Sequence, residues 1–268
     1  MMDLNKDNMS NMKLKILLIH GWNYANYTSS GCVDAWANRS SFVVALSKHF
    51  EVVTFNLPGF CGEKDPETSW NIDDFAKLIQ KKVRQENPDY ILGYSFGGAV
   101  ALRFKKITGD IHIKVILVSP AIIRKYEKKV YSHGIFQRIL KTILPEKSIS
   151  ILRDIYLIKI VKNPYYAGAS RVMRETYRNI VSVDLRNDLL FVTNSLSLIY
   201  GEKDTATPNE LVRNVLKNST AHHNLYVISG GGHDIANTHT EELVSVILKI
   251  KEGDGYENKS ENLGANFA

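Results

Sequence analysis

The stretch Gly93-Tyr94-Ser95-Phe96-Gly97 constrains this chain more than any other. It matches the pattern G-x-S-x-G, and its setting matters more than the pattern. Before it, Pro88-Asp89-Tyr90-Ile91-Leu92 is a short apolar run that reads as a buried strand. After it, Gly98-Ala99-Val100-Ala101-Leu102-Arg103-Phe104 reads as a helix. Strand, sharp turn, Ser and helix together make the context of a nucleophile elbow. So tight a turn forces Ser95 into a strained backbone conformation and crowds the flanking positions, where Gly93, Gly97 and Gly98 leave room. The hydroxyl then stands proud of the sheet, in front of the N–H groups and positive dipole end of a helix. The plainer reading, a Gly-rich turn that happens to hold a Ser, does not account for the strand and helix on either side.

A Ser hydroxyl becomes a useful nucleophile only when a base takes its proton, and a His base needs a carboxylate to orient it. Downstream, Ser195-Leu196-Ser197-Leu198-Ile199-Tyr200 reads as a buried strand that ends in Gly201-Glu202-Lys203-Asp204. A last strand, Asn224-Leu225-Tyr226-Val227-Ile228, opens into Gly230-Gly231-Gly232-His233-Asp234. Ser95, Asp204 and His233 are thereby expected past three strand ends at one edge of a sheet, where open parallel sheets bind ligands. Each has a rival. Asp204 suits a plain turn before Pro208, and Asp188 and Asp234 are alternative acids read as structural. His239 is an alternative base at the start of the last helix. His20 is expected in the core, and His222 and His223 in solvent. No His, Cys and carboxylate set has metal-ligand spacing, and there is no phosphate-binding glycine loop, so no metal and no cofactor are expected.

Together the segments His20-Gly21-Trp22, Asn56-Leu57-Pro58-Gly59-Phe60, Gly93-Tyr94-Ser95-Phe96-Gly97-Gly98, Gly201-Glu202-Lys203-Asp204 and Gly232-His233 resemble the α/β-hydrolase superfamily over about residues 14–250. The likeness is to its small capped esterases and C–C hydrolases. It implies a mostly parallel sheet with helices on both faces and a helical cap. It also implies a Ser95–Asp204–His233 triad, the acid preceding the His in the chain. The backbone N–H groups of Trp22 and Phe96 would form the oxyanion hole. The chain departs from the family pattern at Asn56, where Asp is frequent, at Cys61, where Gly is frequent, and at Tyr94, where His is frequent. The stretch from Gly21 to Trp36 is longer than in relatives and reads as a loop over the site. Ser95 argues against the dehalogenases and epoxide hydrolases, which place Asp there.

Strands are expected near residues 14–20, 51–56, 89–94, 113–119, 196–200 and 223–228, alternating with helices near 36–49, 71–87, 96–108, 208–217 and 239–251. Continuous apolar runs such as Val115-Ile116-Leu117-Val118 suit a sheet covered on both faces. This divides the chain into a polar N-terminal tail (1–13), a first core part (14–120), a cap (121–185), a second core part (186–252) and a disordered C-terminal tail (253–268). Within the cap, Phe136, Ile139, Leu140, Ile143 and Leu144 fall on one helical stripe. Ile151, Ile155, Ile158 and Val161 suggest a second helix ended by Asn163-Pro164.

The expected function is hydrolysis of a small hydrophobic carboxylic ester, with Trp22, Tyr94, Phe136, Ile139 and Tyr166 lining the substrate site. The alternatives are cleavage of a C–C bond of the meta-cleavage product type, or a non-hydrolytic ligand-binding receptor on the same fold. The net charge of +6 is uneven: residues 121–185 hold 13 Lys and Arg against 5 Asp and Glu, which leaves the remainder near −2. That basic segment reads as a solvated surface, as steering for an anionic substrate, or as weak attraction to anionic membranes. No nucleic-acid motif accompanies it. No stretch reaches membrane-span length and no apolar leader is visible, so stable membrane insertion is not expected. Cys32 and Cys61 set no disulfide framework, and a cytoplasmic location is the default expectation. The expected partner is a small-molecule substrate; the sequence sets no oligomeric state.

Overall fold

All six apolar runs become strands: β1 Lys15–Ile19, β2 Glu51–Thr54, β3 Tyr90–Tyr94, β4 Lys114–Val118, β5 Ser197–Gly201 and β6 Asn224–Ile228. They form one sheet in the order β2-β1-β3-β4-β5-β6, with parallel pairing throughout. The computed structural model describes residues 13–27, 31–109, 112–124, 153–154, 156–192, 196–217, 219–220 and 223–253. The expected tails therefore fall outside the described residues except at Lys13 and Gly253, as do Phe136, Ile139 and the rest of their stripe.

Parallel strands need crossovers, and the helices that supply them cover both faces. The described helices are α1 Ser40–Ser47, α2 Ile72–Glu86, α3 Phe96–Thr108, α4 Pro164–Ala167, α5 Arg171–Val181, α6 Arg186–Phe191, α7 Asn209–Leu216, α8 Ile235–Thr238 and α9 Thr240–Glu252. Alternate residues of a strand face opposite ways, and β1 shows the division. Ile16 and Leu18 pack with Phe42 and Leu46 of α1 and with Leu243 and Ile247 of α9. Leu17 and Ile19 pack with Phe75 and Ile79 of α2 and with Val100 and Phe104 of α3. The inner strand β3 is buried along its whole length, whereas the edge strand β2 is exposed at both ends.

From β1 the chain crosses to β2 on one side, then returns to lay β3 on the other side of β1. The winding direction thus reverses between β1 and β3. Beyond the carboxyl ends of two such strands a crevice opens, which is where doubly wound sheets bind ligands.

Between β4 and β5 the described residues hold helices and no strand. Where the second cap helix is predicted, the described residues 153–154 are helical and Tyr156–Ile160 form a π-helical turn. Pro164 does not merely end it. It opens α4, with Asn163 as the N-cap whose side-chain oxygen accepts from the Tyr165 N–H at 2.9 Å; proline is well suited to a first helical position. Helix α5 docks on the core: the Thr176 hydroxyl oxygen accepts from the Trp70 N–H at 3.0 Å, and Asn179 Nδ2 donates to the Trp70 carbonyl at 3.1 Å.

The cysteines correct the sequence reading. Cys32 and Cys61, 29 residues apart, form a disulfide with an S–S distance of 2.09 Å. Their proximity comes from loop packing that no local pattern encodes. Asn56 Nδ2 donates to the carbonyls of Val33 at 2.8 Å and Cys61 at 2.9 Å, its Oδ1 accepts from the Ala35 N–H at 3.0 Å, and the Cys61 N–H donates to the Asn26 carbonyl at 2.8 Å. Asn56 is thus the polar hub that brings the loop after β1 onto the turn after β2. Closing a loop of 29 residues contributes about 3–4 kcal/mol in the chain-entropy account. Thiol titration of the unfolded, unreduced chain should find neither cysteine reactive, and reduction should release both; a reactive thiol before reduction contradicts the pairing.

Candidate active site

Ser95 has φ 53° and ψ −112°, a left-handed conformation that costs a non-glycine residue about 1–3 kcal/mol. Its surroundings hold it there. Its N–H donates to the Val118 carbonyl at 2.9 Å, and its own carbonyl accepts from Gly98 at 3.0 Å and Ala121 at 3.0 Å. A Cβ at Gly93 would lie 2.4 Å from the Gly97 carbonyl oxygen, and one at Gly97 would lie 2.1 Å from the Ile19 carbonyl oxygen. The glycines are required by close backbone approach, as the sequence pattern implies. The hydroxyl is left partly exposed at the top of the sheet.

The three strand-end residues meet. His233 Nε2 lies 3.1 Å from Ser95 Oγ, and His233 Nδ1 lies 2.8 Å from Asp204 Oδ2. A carboxylate can only accept, so Nδ1 carries the proton and Nε2 presents its lone pair to the Ser95 hydroxyl. The Asp204 carboxylate is fully covered. Its Oδ1 accepts from the N–H groups of Ala206 at 2.9 Å and Thr207 at 2.8 Å, and its Oδ2 also accepts from the Thr207 hydroxyl at 2.7 Å. Asp204 is therefore both the turn residue and the partner of His233. Burial alone would raise its pKa. Hydrogen bonds from His233 and Thr207 outweigh that and hold it below the ordinary value. Thr207, unnoticed in the sequence, also lies 3.3 Å from His233 Nδ1.

The rivals sit elsewhere. Asp188 is buried against Arg103, at 3.1 Å. Asp234 receives Arg39 through Nε at 2.9 Å and Nη2 at 2.8 Å. His239 is on the surface, its Nδ1 2.9 Å from the Thr238 hydroxyl. His20 is buried, which pushes its pKa down to about 4 and leaves it neutral. Its Nδ1–H donates to the Gly21 carbonyl at 2.8 Å and its Nε2 accepts from the Leu57 N–H at 2.9 Å. It is a brace for the loop that carries Trp22.

That loop passes close to Ser95: a Cβ at Gly21 would be 3.2 Å from Ser95 Cβ. Among the described residues, neither the Trp22 N–H nor the Phe96 N–H has a hydrogen-bond acceptor. Tyr94, directly before Ser95, donates its hydroxyl to the His233 carbonyl at 2.5 Å and reaches Asp234 Oδ1 at 3.3 Å, while the Arg39 guanidinium lies 4.7 Å above its ring. Arg39, Tyr94 and Asp234 thus form a clamp on the backbone of His233.

A cavity of about 340 Å³ opens over Ser95 and His233. Its aromatic wall is Trp22, Phe96, Tyr165 and Tyr177, and the last two rings stack at 5.0 Å. Trp22 and Tyr94 both line it. Tyr166 is buried outside the lining, edge-on to Tyr177 at 5.9 Å, and its neighbour Tyr165 takes the cavity position. Among the described residues no group of three or more His, Cys, Asp or Glu could hold a metal ion, and no helix is long and apolar enough to cross a membrane.

A carboxylate whose pKa is lower in the folded chain stabilises the fold above its unfolded value, and that contribution is lost as pH falls through the folded value. Asp204→Asn should therefore lower the thermal midpoint most near neutral pH, with the gap to wild type closing below the ordinary carboxylate range. A gap that stays constant or widens in acid contradicts the hydrogen-bonded, ionised Asp204.

A model of the Alpha/beta hydrolase family matches residues 16–246. The chain is 21% identical to the pimeloyl-(acyl-carrier protein) methyl ester esterase of Vibrio cholerae over 224 residues, 75% of this chain and 80% of that one. Its fold is similar to that of an esterase from Exiguobacterium antarcticum, with TM-score 0.63 and 18% identity over 90% of this chain and 92% of the other. It is similar too to a meta-cleavage product hydrolase from Pseudomonas fluorescens, with TM-score 0.60 and 16% identity over 91% and 92%. With the match spanning β1 to α9, the chain belongs to the alpha/beta hydrolase family of enzymes.

Proposed function

We propose that this enzyme is a serine hydrolase that cleaves a small carboxylic ester with a hydrophobic acyl or alcohol part. The observation that carries the reading is the relay of 3.1 Å from Ser95 to His233 and 2.8 Å from His233 to Asp204, set beside two N–H groups without acceptors. Esterases among its relatives support the choice of bond. The segment 121–185 acts as the cap, since Tyr165, Tyr177, Ile180 and Val181 from it wall the cavity.

Ser95 Oγ attacks the acyl carbon while its proton passes to His233 Nε2. The carbonyl electrons move onto oxygen, which the N–H groups of Trp22 and Phe96 receive; each such donor stabilises the transition state by about 3–4 kcal/mol. Collapse expels the alcohol oxygen, which takes the proton from Nε2. Water then attacks the acyl-enzyme and gives a proton to Nε2. The second collapse frees the acid, and the proton returns to Ser95. Throughout, Asp204 Oδ2 accepts from Nδ1–H, which keeps the productive tautomer and stabilises the imidazolium. The Cys32–Cys61 disulfide suits an oxidising compartment better than the cytoplasm.

Ser95→Ala should lower kcat by roughly 10⁴- to 10⁶-fold with the fold intact, and Asp204→Asn by about 10⁴-fold through the wrong His tautomer. The assay is initial rates on p-nitrophenyl esters beside a vinylogous diketone. Loss on Asp188→Asn or Asp234→Asn with Asp204→Asn active would remove Asp204 as the acid. Turnover of the diketone and not of esters would replace ester hydrolysis by C–C cleavage. A single turnover that leaves the ligand attached would favour a receptor.

A further inference from the structure

Two arginines line the cavity, Arg39 and Arg124, and they differ in one respect. Arg39 is neutralised by Asp234. Arg124 has no carboxylate within ion-pair distance of its guanidinium among the described residues. It follows β4 by a few residues, and its backbone N–H donates to Asp184 Oδ2 at 3.1 Å. Its side chain is tied only to neutral carbonyls, Nε to Val183 at 2.9 Å and Nη2 to Ile180 at 3.1 Å. Asp184 engages Arg186 instead, with Nε to Oδ1 at 2.9 Å and Nη2 to Oδ2 at 2.9 Å. Among the described residues Arg124 Nη1 makes no hydrogen bond.

A guanidinium stays protonated in proteins and carries five N–H donors. Burial disfavours the charged form of Arg124, and the nearby charge of Asp184, which is not paired with its guanidinium, offsets this only in part. The one acid of the triad cannot serve, since the Asp204 carboxylate is fully covered and paired with His233. The cavity therefore holds a cation fixed in place by two carbonyls, with donors unused, facing a space walled by aromatic rings. A planar fork with free donors matches the two oxygens of a carboxylate better than a single neutral acceptor.

We propose that Arg124 is the anion-recognition residue of this site, and that the substrate is an ester whose hydrophobic chain ends in a carboxylate. The proposal rests on the ester-hydrolase reading and narrows it to a substrate class. Arg124 acts in binding and takes no part in proton transfer.

The test uses the full chain and two esters of equal chain length, p-nitrophenyl hexanoate and mono-p-nitrophenyl adipate, which differ by the terminal carboxylate. The wild type should prefer the adipate ester in kcat/KM. Arg124→Gln should reduce the adipate-to-hexanoate ratio by roughly 10- to 100-fold, the size expected for hydrogen bonds to a charged group. Because both rates come from one preparation, the ratio does not depend on how much of it is folded. Arg124→Lys, which keeps the charge and loses the fork, should fall between. Equal turnover of both esters by the wild type, or a ratio that Arg124→Gln leaves unchanged, overturns the proposal. If neither ester is turned over, ester hydrolysis has failed and the subsite is judged by binding alone. Monomethyl adipate should then raise the thermal midpoint of the Ser95→Ala protein and not that of Ser95→Ala/Arg124→Gln. No rise in the first, or an equal rise in both, overturns the subsite.

Discussion

The left-handed turn at Ser95 is the constraint on which the site depends. It is stable only because the backbones around it approach more closely than any side chain would allow, with the start of α3 pressed onto the end of β1 at Gly97 and Ile19. In the proposed mechanism that single contact places the nucleophile and the oxyanion donors together. The N-terminus of α3 supplies the Phe96 N–H, and the continuation of β1 supplies Gly21 and the Trp22 N–H beside Ser95. The bond from Ser95 to Val118, and that from Ala121 back to Ser95, then tie the elbow to the end of β4. The segment that follows β4, and with it Arg124, is thereby positioned from the backbone of Ser95.

The proposed base, His233, is held by a different means. His233 follows a run of glycines that has little stiffness of its own. Its direction comes from three side chains: Asp204 on Nδ1, Tyr94 on its carbonyl, and Asp234 next to it, anchored by Arg39. Tyr94 is thus a device of the elbow itself, since the residue before Ser95 also fixes the backbone of His233. The wall opposite is a long loop that would be loose without Asn56 and the Cys32–Cys61 bond. Rigid strand ends set where the groups emerge, and specific polar contacts set where the loops between them stop.

What was legible in the sequence follows the same division. Strands β1 to β6 were readable because two-sided burial demands continuous apolar runs. Ser95, Asp204 and His233 were readable because each follows such a run at a glycine-marked turn. The contacts between loops were not. Arg39 and Asp234 are 195 residues apart, and nothing local in either marks the pair. Cys32 and Cys61 look like isolated cysteines until Asn56 is seen to join their loops. Tyr166 was expected in the cavity, yet a short helical turn capped by Asn163 turns Tyr165 inward instead, a choice between neighbours that composition does not encode. Phe136 and Ile139 lie outside the described residues. In the sequence Arg124 is one charge among many in the basic segment; what distinguishes it is a place in the cavity lining with no carboxylate paired to its guanidinium among the described residues.

An activated Ser95 is the central claim, and labelling with a fluorophosphonate probe tests it most directly. Wild-type protein and Ser95→Ala are treated side by side and read by intact mass. The geometry predicts one adduct on the wild type and none on the variant, because only a hydroxyl whose proton His233 can accept attacks the probe. A folded wild type that takes no adduct, or a Ser95→Ala protein that still takes one, would contradict it.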